Sequence, residues 1–122
     1  MSRLISIAAR HWVIIDATMD NTRAVADPDL DDDAEQAVAA ADRIRAAGWA
    51  SIRDRGDVDE MGWPNGDVIL QVTLVEADRD FVLDEIEHWK QVEVDLGKVE
   101  EAHTSGSTAA AFASAWKDGS ET

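Results

Sequence analysis

Cysteine and tyrosine are absent from the 122 residues, and only two prolines interrupt the chain. Without cysteine there are no disulfides, thiolate metal ligands or cysteine nucleophiles. Basic residues are scarce as well: 11 Lys plus Arg stand against 26 Asp plus Glu, for a net charge of -15. A field of that sign repels nucleic acid and anionic membranes, so direct binding to either is not expected. No apolar run is long enough to span a bilayer. The start, Met1-Ser2-Arg3 followed by LISIAA, resembles a secretory signal but stops at Arg10 without a cleavage site, so a cytoplasmic protein is expected. Catalytic signatures are missing too, with no Ser, His and Asp arrangement, glycine-rich phosphate loop or zinc spacing. No catalytic set, cofactor or metal is expected.

What the chain does contain is organised around residues 67–76, DVILQVTLVE. Val68, Leu70, Val72 and Leu74 recur at every second residue, the period that returns strand side chains to one face. At this length a single domain over residues 1–122 is expected, with a core large enough to need no staple.

Around that strand, residues 3–18 read as a strand region, most clearly from His11 to Ala17, with a break near Ala9-Arg10 because one strand over all of it would be about 50 Å long. A helix is expected over 32–47, where Asp32-Asp33-Ala34-Glu35 has capping-box character, an alanine-rich stripe follows, and Gly48 stands where a cap belongs. Residues 50–55 alternate as a charged edge strand and would pair with 67–76 as a hairpin. A second helix, capped by Asp78, is expected over 78–90. Residues 91–96, Gln91 to Leu96, alternate as a strand, although Trp89, Val92, Leu96 and Val99 also fit a continuing helix. The β-branched valines and Gly97 favour strand. A last helix is expected over 107–117. The resulting order is the α+β, ferredoxin-like split βαβ arrangement (βαββαβ), an antiparallel sheet with helices on one face plus a C-terminal helix.

Acids cluster in three blocks: six without a base over 27–35, four without a base over 57–67, and ten against three bases over 76–101. Asp27, Asp29 and Asp31 have the 1, 3, 5 spacing of a calcium loop, but Asp32 and Val38 replace the glycine and glutamate that such a loop needs. An acidic segment leading into a helix explains them more simply. Asp84 and His88 lie one helical turn apart, where a carboxylate orients an imidazole for base chemistry; an exposed ion pair has the same spacing. Trp63 sits in an acidic loop with Met61, Asp57, Asp59 and Glu60. Tryptophan offers large contact area at small entropy cost, and acidic neighbours steer a basic surface.

Three functions compete. The first is a non-enzymatic acidic protein that occupies a basic, nucleic-acid-binding surface of a partner protein, as an inhibitor or nucleic-acid mimic of the anti-defence, anti-CRISPR or nuclease-inhibitor type. Its contact residues would be Asp57, Asp59, Glu60, Met61 and Trp63 together with Asp29, Asp31, Asp32 and Asp33. The second is a salt-adapted ferredoxin-like regulatory or oligomerisation domain, whose acids hold water and salt; a homodimer is open in either case. The third is a small enzyme using Asp84 and His88. Clustered acids, the Trp63 loop and the missing catalytic set favour the first.

Overall fold

The computed structural model describes residues 1–121. Strand β1 (Ser2–Ala8) runs directly into helix α1 (Ala9–Val25), and α2 (Ala34–Ala50) follows after an acidic loop. Strand β2 (Ile69–Val75) runs directly into α3 (Glu76–Asp95), then come α4 (Val99–Asp118) and the short β3 (Ser120–Glu121). The protein is α+β, and among the described residues its sheet has three antiparallel strands in the order β2-β1-β3. Ile5, Ile7, Leu70, Val72 and Leu74 are buried on the helix side, while Ser6, Ile69, Gln71, Thr73 and Val75 are exposed on the other. The helices therefore cover one face only.

An internal order underlies this arrangement. An offset of 67 residues carries Ser2–Ala8 onto Ile69–Val75 and Ala9 onto Glu76, so each strand passes into its helix at the same point. The Ala9 N–H donates to the Val68 carbonyl at 2.8 Å and the Glu76 N–H to the Met1 carbonyl at 2.9 Å, an equivalent pair. These bonds satisfy donors that a helix start leaves free. Ile5 is registered opposite Val72, its own counterpart, so an approximate two-fold axis passes between them.

Four expectations are corrected. His11 to Ala17 is helix, because Trp12, Ile15 and Met19 repeat at three and four residues and all are buried. Residues 50–55 form no strand: Ser51, Ile52, Arg53 and Arg55 each donate to the carbonyl three residues earlier, so the end of α2 continues as turns, and β2 pairs with β1 instead. Residues 91–96 remain in helix to Asp95. Gly97, at φ +75°, ends it with a Schellman motif in which Lys98 N–H donates to Glu93 O and Gly97 N–H to Val94 O. With two of the four expected strands absent, the ferredoxin-like order is not what the chain adopts.

Caps differ as well. Asp33 precedes α2 without a side-chain cap bond among the described residues, and Asp78 lies inside α3. Buried there, Asp78 accepts from Arg43 at 2.8 and 3.2 Å and ties α3 to α2. Gly48 is an interior residue of α2, and a Cβ there would lie 1.8 Å from Trp12 Nε1. Its lack of a side chain lets the Nε1 edge of the buried indole approach the backbone of α2.

Candidate partner-binding groove

The two acidic groups expected to act together lie at opposite ends of α2. Asp29, Asp31, Asp32 and Asp33 are exposed in the loop before it, whereas Asp57, Asp59, Glu60, Met61 and Trp63 follow its far end. At 1.5 Å per residue, the 17 residues of α2 separate them by about 25 Å. Within the second group most side chains are already engaged. Trp63 stacks on Trp49 with ring centroids 4.3 Å apart and packs against the core. Asp59 Oδ1 accepts from the N–H groups of Met61 and Trp63 at 2.9 and 3.0 Å, which shapes the loop. Arg55 donates to Asp57 at 2.6 and 2.9 Å and holds its carboxyl below the usual carboxylate range. Glu60 and Met61 are the exposed remainder, Met61 at 77%.

The first group borders a different feature. Along α1 run two open compartments that meet at Trp89. One, of about 460 Å³, lies between α1, the end of α3 and the start of α4, floored by Ile14, Ala17, Val92 and Leu96. The other, of about 310 Å³, lies between α1, α3 and the acidic loop, and Val25, Leu30, Ala34 and Ala37 line it. Leu30 is 86% exposed and Leu96 66%, so apolar surface is available at both. Asp27, Asp31, Glu85, Glu93, Glu100 and Glu101 border this groove, against Lys98 as its single lysine or arginine. Acids from residues 27–35 and 76–101 thus meet in space, and the block at 57–67 lies elsewhere.

Local bonds fix several rim groups. Trp89 Nε1–H donates to Thr22 Oγ1 at 3.1 Å, setting the indole between the compartments. Burial pushes the Glu85 carboxyl above its ordinary value, partly offset by His88 and by a hydrogen bond with Thr22. Ser105 Oγ–H donates to Glu93 at 2.6 Å and holds that carboxylate on the wall. Arginine is largely engaged by neighbouring groups, mostly at the surface: Arg10, Arg23, Arg43, Arg45, Arg55 and Arg79 are each paired with aspartate, and Arg3 donates to the Trp116 and Lys117 carbonyls. Each of these pairs also ties up an aspartate, so the excess of 26 acids over 11 Lys plus Arg is what leaves the surface mostly carboxylate.

Asp84 and His88 are both exposed, and only His88 borders the groove. Sequence reasoning missed Val92, Leu96, Glu93, Glu100 and Glu101. Continuing the helix to Asp95 would have found Val92 and Leu96, since it places them along one side with Trp89, whereas Glu100 and Glu101 join the groove only because α4 folds back along α1. His11 and His103 also share a compartment of about 250 Å³ between α1 and α4, where burial and Arg10 lower the pKa of His11. Among the described residues no three His, Asp or Glu side chains converge as a cation site would require. Among the same residues no helix is long and apolar enough to cross a membrane. Comparison of the chain with protein-family models, with curated proteins and with solved structures finds no match.

Proposed function

We propose that this is a non-enzymatic binding protein whose groove along α1 receives a basic, amphipathic helical segment from a nucleic-acid-binding partner and so occupies a surface that nucleic acid would otherwise use. The observation that carries the reading is an apolar floor bordered by six carboxylates and one lysine. Apolar contacts supply affinity in such a groove, while the acidic rim steers a basic segment and rejects acidic ones. The contact set moves accordingly from the Trp63 loop to Leu30, Trp89, Val92 and Leu96, with Asp31, Glu93, Glu100 and Glu101 at the rim. The reading built on Asp84 and His88 loses its geometric support, because Asp84 lies outside the compartment that His88 borders.

The test uses a fluorescent leucine–lysine amphipathic helical peptide as probe, followed by anisotropy. Reversal of Glu93, Glu100 and Glu101 to lysine is expected to weaken binding about tenfold or more, roughly 1.4 kcal/mol. Reversal of Asp54 and Glu60, outside the groove, changes the same charge type and should have little effect. Equal losses from both sets would reduce the groove to a diffuse field. A photo-cross-linker at Leu96 then recovers the cellular partner. Displacement of labelled DNA or RNA from that purified partner is the decisive readout, and a stable ternary complex would overturn the mimic reading.

A further inference from the structure

We propose that two copies of this chain join through β2, edge to edge and antiparallel, into one continuous six-stranded sheet. Hydrogen-bond parity identifies the edge. The bonds Glu76 N–H to Met1 O and Ala9 N–H to Val68 O continue the β1–β2 ladder at either end, so Leu70, Val72 and Leu74 exchange their bonds with β1. Ile69, Gln71, Thr73 and Val75 consequently direct their N–H and C=O groups away from β1. The N–H groups of all four and the C=O groups of Ile69, Gln71 and Thr73 have no partner outside the strand among the described residues, while the Val75 carbonyl is taken up by the first turn of α3. The approximate two-fold axis sharpens the contrast, because the equivalent edge of β1 carries Ser120–Glu121 and that of β2 carries no strand among the described residues.

The composition of the strand points to a second copy as the occupant. Edges that must stay unpaired are blunted by charge, proline, a bulge or short length. ILQVTLV has seven residues, no charge and no proline, in a chain that is 30% charged. Antiparallel pairing centred on Val72 sets Gln71 opposite Thr73 of the second copy, each N–H and C=O meeting its complement, and Ile69 opposite Val75, whose N–H meets the Ile69 carbonyl. The arrangement is isologous and closes at two chains. Asp67 and Glu76 flank the strand, so each end of the joined sheet brings like charges together, and each chain adds its net of -15. Association should therefore strengthen with salt, opposite to capture of a basic segment in the groove.

The experiment is sedimentation equilibrium from about 10 to 500 μM protein and about 0.05 to 1 M NaCl, where screening shortens from beyond 10 Å to about 3 Å. The expected result is twice the 13.3 kDa chain mass, with a dissociation constant that falls at least severalfold as salt rises. Thr73→Lys puts charge on the edge, and Gln71→Pro removes an outward N–H while leaving the β1 ladder intact; both should remain monomeric with an unchanged far-ultraviolet spectrum. Because the chain has no cysteine, register is read directly. An equimolar mixture of Gln71→Cys and Thr73→Cys should form a disulfide-linked heterodimer faster than either variant alone forms a homodimer. A monomer under all conditions overturns the proposal. So does a dimer that ignores Thr73→Lys and gives no mixed cross-link.

Discussion

At the scale of single residues, two positions carry the sharpest expectations. Any side chain at Gly48 meets the Trp12 indole, which is fully buried and leaves its Nε1–H without a partner among the described residues. Gly48→Ala should cost about 1–3 kcal/mol, the usual range for overpacking, although alanine is the better helix former. Thermal unfolding of that variant is the check, and a rise in midpoint would mean that the α1–α2 contact is loose. Glu85 tests the groove's electrostatics in the same direct way. Its folded pKa is raised, so the fold is favoured by the protonated form at low pH, and that contribution is lost as pH rises through the raised value. Glu85→Gln should raise the unfolding midpoint at pH 7 and leave it nearly unchanged well below pH 4, where the native carboxyl already carries its proton.

Elements show how far the sequence could be read. The period-two pattern from Val68 to Leu74 belongs to a real strand, and the break at Ala9-Arg10 falls where β1 becomes α1. Alternation misled at Gln91–Leu96, since half-exposed helical positions on α3 tolerate valine as readily as an edge strand does. The deciding signal was Gly97, which suits a left-handed helix end as well as a strand end. Acidic blocks were legible, but their meeting was not, because which blocks adjoin depends on how α3 and α4 fold back along α1. Trp63 belongs at this scale too. Stacked on Trp49, it secures the long loop to α2, so Trp63→Ala should lower the unfolding midpoint by several degrees, an effect of about 1 kcal/mol, typical for an aromatic pair. It should leave binding of the amphipathic probe unchanged; weakened binding at unchanged stability would return the loop to the contact surface.

For the whole molecule, charge and size set the terms. With a net charge of -15, the surface repels itself over distances comparable to α2, about 25 Å. Unscreened at about 0.01 M salt, where the Debye length is about 30 Å, that repulsion should be nearly gone at about 1 M. The unfolding midpoint is expected to rise over this interval, while affinity for a basic probe falls. A midpoint that falls instead would mean that Arg43–Asp78 and Arg45–Asp16 outweigh the self-repulsion. Measuring both quantities in one titration separates stability from recognition.

The ladder that joins Ser2 to Val75 also governs how the molecule comes into being. During synthesis β1, α1 and α2 leave the ribosome long before β2, so Ile5 and Ile7 have no strand to lie beside until Val72 and Leu70 emerge. α4, which packs on β1, comes later still. The nascent chain thus waits as a helical hairpin preceded by a loose apolar strand, and its sheet closes only once β2 has been made.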